Sequence, residues 1–285
     1  TVSRLDVESF EEALSAWGQA ILKEHGRGGL SALAMDGKVL KGSTAGELPG
    51  VHLLAVLSHE LGLSLKQGEV PSTTNEHKAS LRLLEGLNLT NQVITADAAF
   101  MQRDVCQMII RAQGHDLIVL KDNQPFPPPD EYQMQVSQSL DLAHGRIEKR
   151  HLTVLPLYDD FLAWPGARLM LRMERTILHK ATGQLMHQID YALSSLDVDQ
   201  VSAHNLLSLW RSHWHIESRL HYVRDVTLGE DASTIHAGRA PQVMAAIRNV
   251  TNAAARLAGF SNVAEALRFF AQLPYRAATL FLRMD

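Results

Sequence analysis

The spacing of apolar and polar residues divides the chain into distinct pieces. In "VESFEEALSAWGQAIL", Val7, Phe10, Leu14, Trp17 and Ile21 recur at helical spacing. After the loop "HGRGG", the run "LSALAMDGKVLKG" reads as a buried strand carrying Asp36. "VHLLAVLSHE" and "GLSLKQGEV" read as two more strands turning around Gly62, so the first three strands predict an antiparallel meander. "TTNEHKASLRLLEGL" predicts a helix with Thr or Asn as its N-cap and Leu83, Leu84 and Leu87 on its apolar side. "QVITADAAF" predicts a short buried strand ending at Asp97, "MQRDVCQMIIRAQ" a helix, and "HDLIVLKDNQ" another strand.

The stretch "PFPPPDE" breaks this order sharply. From there to about residue 200, "GRIEKRHLTVLPLY", "ARLMLRMERTILH" and "LMHQIDYALSSL" are strand-like, and "KATG" predicts a hairpin turn between the last two. Helices resume at "SAHNLLSLWRSHWHIESRLHYVRDV", read as one helix, and continue through "APQVMAAIRNVTNAAARLAGF" and "VAEALRFFAQL". Pro241 suits the first turn of the middle one and Gly259 its C-cap. The order predicts an α/β fold in which helices cover a mixed sheet. Three segments follow: a core, residues 1–125; a β-rich insertion, 126–205; and C-terminal core helices, 206–285.

Composition narrows the class. The 285 residues are 46% hydrophobic and 20% charged, as in an ordinary globular protein. No window approaches the ~18 apolar residues of a membrane helix, and no signal-peptide pattern opens the chain, so a cytoplasmic protein is expected. The chain begins "TVSRLDVESF" with no initiator Met, which suggests a fragment or a processed chain. A single cysteine, Cys106, excludes an internal disulfide and a cysteine-rich zinc knuckle. The net charge of −4 argues against a protein that coats nucleic acid. Its distribution changes the picture: residues 201–285 carry nine arginines and six acidic residues, a local +3, against −7 for the rest. That suits a local phosphate-binding surface, and equally a set of solvated helix faces.

Chemistry is suggested by carboxylates in unexpected places. Asp36 lies inside an apolar strand, where an unpaired carboxylate costs several kcal/mol. Asp97 ends another strand and could equally cap the turn that follows. Together, two aspartates at strand ends form a hard oxygen set suited to Mg²⁺ or Mn²⁺. In "RSHWHIESRLHYVRDV", His213, Glu217 and His221 fall at i, i+4 and i+8. Ligands at i and i+8 on a helix are ~12 Å apart and cannot share one metal. There is no H-E-x-x-H arrangement either. A zinc site is therefore disfavoured, and Glu217 is the natural third carboxylate for the aspartate pair.

At this point the motifs carry a resemblance. "MDGKVLKGS", "HLLAVLSHELGLSL", "TNEHKASLRLLEGL", "VITADAAFMQRDV", "LIVLKDNQP", "HGRIEKR" and "RSHWHIESRLHYVRDVTLGED" occur in order from about residue 30 onward. Together they resemble the DDE transposases of bacterial insertion sequences, in the branch that includes the H-repeat-associated proteins. The resemblance implies an RNase H-like catalytic core with a β-rich insertion before the last catalytic helix. It marks Asp36, Asp97 and Glu217 as the catalytic acids, holding two Mg²⁺ or Mn²⁺ ions. It also implies DNA as partner, a homodimer as the usual assembly, and cleavage followed by strand transfer. Asp122 stands where the family usually has glycine and Tyr222 where it usually has tryptophan, and the family's usual N-terminal segment is missing or short.

Further DNA contacts are expected from side chains around these motifs. Lys38 lies beside Asp36; Lys121, Asn123 and Gln124 follow a strand end; His144, Arg146 and Arg150 share one strand face. His213, Arg219, His221 and Arg224 flank Glu217. Each has a plainer reading: a polar turn, cross-strand ion pairs, a satisfied histidine, or a salt-bridged surface face. Cys106 sits in an apolar helical pattern and reads as core. Two rivals to a transposase remain: an RNase H-like nuclease that cuts without joining, and a domesticated or inactive derivative that binds DNA.

Overall fold

In the computed structural model the described residues are 5–26, 29–44, 50–121, 134–143, 145–157 and 164–281. They form two compact units, one built from Thr1–Leu87 and Trp214–Asp285, the other from Asn88–His213.

The first unit begins with α1 (Val7–His25), followed by β1 (Ser31–Val39), β2 (His52–Ser58), β3 (Ser64–Glu69) and α2 (Glu76–Leu84). The three strands form the expected antiparallel meander, with Asp36 of β1 opposite Ala55 of β2 and an irregularity in the β2–β3 pairing at Val56 and Leu57. Gly62 makes the turn between β2 and β3 at φ +66°, a left-handed conformation that costs glycine little. Residues 32–35 and 53–58 are continuously buried rather than alternating, because elements cover both faces of the sheet. Asn75 caps α2, accepting from the Lys78 N–H at 3.0 Å.

The C-terminal part of this unit departs from the single regular helix expected over residues 211–226. The backbone is π-wound over Glu217–His221 and again over Val223–Thr227. Three α-helices follow: α5 (Ala240–Leu257), α6 (Val263–Gln272) and α7 (Pro274–Phe281). Here α4 is kept for Ala203–Ser212 of the second unit. Pro241 lies in the first turn of α5, and Gly259 follows its C-cap at φ +89°. A buried polar network joins α1, β3 and α5. The Gln67 and Gln242 amides donate to the two Glu11 oxygens at 2.7 and 3.0 Å, and Asn249 donates to Gln67 at 2.7 Å. Burial holds the Glu11 carboxyl above its ordinary range, and these amide donors oppose the shift.

In the second unit, β4 (Gln92–Ala96) and β5 (His115–Val119) pair in parallel across α3 (Arg103–Arg111). Next come β6 (Gln135–Ala143), β7 (Arg146–Pro156), β8 (Leu169–His179) and β9 (Leu185–Ser194). These pair antiparallel in the order β5-β9-β8-β7-β6, giving a mixed sheet that α4 flanks at β6 and β7. The hairpin expected at "KATG" joins β8 to β9, with Gly183 at φ +69°. The pieces of an RNase H-like core are therefore present: an antiparallel meander in one unit and a helix-linked parallel pair in the other. The β4–β5 pair groups with β6–β9 rather than with β1–β3.

Cys106 is buried, as expected, and burial pushes its thiol up to about 12, which makes it inert as a nucleophile. Beside it, Asp116 of β5 is locked to the end of β9. The Asp116 N–H donates to Ser195 Oγ at 2.8 Å, and the Ser195 N–H donates to Asp116 Oδ1 at 2.9 Å. Burial nonetheless raises the Asp116 carboxyl from 3.8 to about 6. With its folded value raised, Asp116 contributes stability below about pH 4 that is lost as pH rises through about 6. The amount is on the order of 3 kcal/mol. Asp116→Asn keeps an acceptor for the Ser195 N–H and cannot ionise. We expect its urea midpoint to fall by less between pH 4 and pH 7.5 than that of the parent; parallel profiles would refute the assignment.

Candidate active site

The buried run of β1 delivers Asp36 to the edge of the core, with its side chain about a quarter exposed. The Gly37 N–H donates to Asp36 Oδ1 at 2.8 Å, fixing the carboxylate plane. Ile216 and Leu220 of the π-wound stretch pack with Ala34, Ala55 and Leu57 of β1 and β2. That contact brings Glu217 and His221 to β1. His221 Nδ1 lies 3.0 Å from Glu217 Oε2 and 3.6 Å from Asp36 Oδ2. One ligand atom from each of the three lies within 4.8 Å of the others. π-Turns are uncommon and concentrate at functional sites. Here the π-winding begins at Glu217 itself.

Two neighbouring carboxylates repel, and the local charges answer this. The hydrogen bond from His221 holds the Glu217 carboxyl below its usual range against the opposing effect of burial, helped by the charges of His221 and Lys38. Lys38, two residues beyond Asp36, is ion-paired with Asp225 of the π-wound stretch, and both side chains are largely buried. That pair is a second tie between β1 and the helix that carries Glu217. His221 is itself buried, and its Nε2 has no hydrogen-bond partner among the described residues.

Asp97 belongs to the second unit. It follows β4, is exposed, and accepts from the Ala99 N–H at 2.9 Å, capping the turn over Ala98–Phe100. The other expected contact residues fare differently. Arg224 has no solvent exposure and is bonded to Glu230, with Nε–Oε1 at 2.9 Å and Nη2–Oε1 at 2.8 Å. A guanidinium so enclosed cannot reach a phosphate, so Arg224 is corrected from a DNA contact to an internal counter-ion. Lys38 is ion-paired with Asp225. Arg150 takes the ion-pair alternative, bridging Asp141 and Glu148. His213 bonds Thr95 Oγ1 at 3.0 Å, as a satisfied histidine does. Arg146 and Lys121 are exposed. Arg219 is half-buried and donates to the His59 carbonyl at 3.1 Å. Asn123, Gln124 and His144 lie outside the described residues, as does Asp122. Asp225 was missed from the sequence because nothing local links it to Lys38, 187 residues away.

A family model described as the transposase DDE domain matches residues 27–251. The chain belongs to that family. This DDE chain is 30% identical over 269 residues to "Putative transposase YncI" of Escherichia coli O157:H7, a match spanning 87% of the chain and 67% of that protein. It is 26% identical over 271 residues to "H repeat-associated putative transposase YhhI" of Escherichia coli K12, spanning 87% and 69%. A solved piggyBac transposase synaptic complex with hairpin DNA covers 80% of the chain and is itself covered to 46%, at 10% identity and a TM-score of 0.42, too slight a likeness to build on. Among the described residues, no helix is long and apolar enough to cross a membrane.

The buried Arg224–Glu230 pair gives a direct test of how this DDE chain holds its π-wound stretch in place. Removing one member of a buried ion pair strands the other charge at a cost of about 3–5 kcal/mol. Glu230→Gln should therefore lower the urea midpoint sharply, by an amount in that range once converted. A change under about 0.5 kcal/mol, the level of a surface substitution, would show that Arg224 is not enclosed.

Proposed function

We propose that this chain is the catalytic domain of a DNA transposase, cutting and rejoining phosphodiester bonds with divalent cations held by Asp36, Asp97 and Glu217. The observation that carries the reading is the convergence of Asp36 and Glu217, from a buried strand and from a π-wound helix more than 180 positions later, with their oxygens and His221 Nδ1 within 4.8 Å. The donor chemistry fits: two carboxylates, one nearly half exposed, offer hard oxygens on an open side. Family membership and the position of Asp97 at a strand end support its place as the third acid. Divalent ions held there would stabilise the attacking oxygen and the departing 3′ oxygen of the scissile phosphate.

The chain's own residues prepare that chemistry. The Gly37 N–H occupies one Asp36 oxygen and leaves the other directed toward His221 and Glu217. His221 holds Glu217 ionised and oriented before any substrate arrives. In this reading, water attacks in the first cut, and the freed 3′-OH attacks the target strand in the second. Neither step needs a covalent enzyme intermediate, consistent with an inert, buried Cys106.

The test is Mn²⁺-dependent nicking of supercoiled plasmid by the parent, Asp97→Asn and Glu217→Gln. A second reaction offers a pre-cut 3′-OH end to the plasmid. The parent should nick and join, and each variant should fall to background. Equal nicking by all three would place the activity elsewhere. Nicking without joining would favour an RNase H-like nuclease.

A further inference from the structure

The π-wound stretch presents other residues away from the carboxylates. Glu217, His221 and Asp225 meet β1, whereas Ser218, Arg219 and Tyr222 line a recess of about 500 Å³ together with Arg256, Phe260 and Asn262. The whole recess belongs to the first unit.

The chemistry there is unbalanced. Arg219 donates to the His59 carbonyl at 3.1 Å; Arg256 donates to Asn252 Oδ1 at 3.2 Å and to the Arg219 carbonyl at 3.3 Å. Neither guanidinium has an ion-pair partner among the described residues. Other arginines of the unit do: Arg224 and Arg248 share Glu230, and Arg239 pairs with Glu8. Glu60 is the one carboxylate lining the recess, and it is exposed. His215 stands nearby with a buried, unbonded Nδ1, and its burial and the charges of Arg219 and Arg256 hold the imidazole below its usual range. Burial depresses both guanidiniums as well, and the charge of Arg219 depresses that of Arg256 further. Two half-buried like charges without a counter-ion are costly, and an anion entering the recess recovers that cost. The N-terminus of α6 adds to the favourable field: Asn262 and Val263 line the recess. Tyr222, more than half exposed, offers a flat face beside it.

We propose that Arg219 and Arg256 form a phosphate-backbone site for nucleic acid, separate from the carboxylate cluster and served by the opposite residues of the same π-wound stretch. The choice of nucleic acid over a small phosphate rests on the proposed function; the anion site itself rests on the two guanidiniums. Arginine suits the role because its planar fork can donate two bonds to one phosphate.

The experiment measures binding of a fluorescently labelled DNA duplex in EDTA, so that no metal and no cleavage enter, across a series of salt concentrations. Arg219→Gln and Arg256→Gln should each weaken binding roughly tenfold near 0.1 M salt and reduce the slope of log K against log salt by about one. Arg256→Lys should retain the slope, and thermal melts should show all three variants folded. If the Gln variants melt early, the Lys variant decides: an affinity and slope close to those of the parent support the site, and a loss of slope despite the retained charge overturns it. Folded Gln variants with unchanged affinity and slope would also overturn it. Competition by inorganic phosphate as effective as DNA at equal phosphate concentration would overturn the nucleic-acid assignment. Glu217→Gln should bind the duplex at least as tightly as the parent, so failure of the nicking test and failure of this one can be told apart.

Discussion

Two carboxylates brought close together in a half-buried place repel, and the first unit is organised around holding them there. Ile216 and Leu220 supply the attraction. They are buried against Ala34, Ala55 and Leu57, and their burial is worth roughly 1.5–3 kcal/mol per side chain. That stabilisation is set against the repulsion between Asp36 and Glu217. His221 reduces the repulsion by lying between the two, and the Lys38–Asp225 pair places a positive charge within reach of Glu217. Arg224 and Glu230 then fix the far end of the π-wound stretch as an internal pair. The contacts that Ile216, Leu220, His221 and Asp225 make with β1 and β2 join segments more than 150 positions apart, so the site is a product of the tertiary fold.

How legible this was follows from the range of each determinant. α1, β1 to β3, α2 and the β8–β9 hairpin are set by local spacing and turn residues, and they lie where the apolar pattern put them. β6 was not singled out, because its residues "QVSQSLDLA" are half to fully exposed and lack a strong apolar run. α7 follows a proline directly after α6 and was hidden for the same kind of reason. The π-winding was unreadable in principle. A Glu and a His four apart meet on an α-helix and meet here too, so the spacing of Glu217 and His221 does not distinguish the two windings.

The acids were easier to find than their supports. Asp36 and Glu217 are conspicuous because a carboxylate in an apolar strand and one in a histidine-rich helix both ask for a reason. The fate of the surrounding cations was not conspicuous at all. Arg219 and Arg224 are five residues apart in one stretch, and both looked like surface charges. One is enclosed with Glu230, and the other opens on a recess without a counter-ion. Whether a cation is committed or available depends on acids far away in sequence, and no local pattern records that.

The π-winding gives this difference a geometric basis. An α-helix places a new residue every 100° and a π-helix every ~80–90°, so extra residues per turn let one short stretch serve two directions. Glu217, His221 and Asp225 recur every four residues and all meet β1. Among the residues between them, Ser218, Arg219 and Tyr222 turn to another side and line one recess. A negative cluster and a positive one can therefore be carried on a single element about ten residues long without neutralising each other. In the function proposed above, cations for chemistry and a bound polyanion need two fields kept apart, and the winding of this stretch places its acidic and basic groups on different sides.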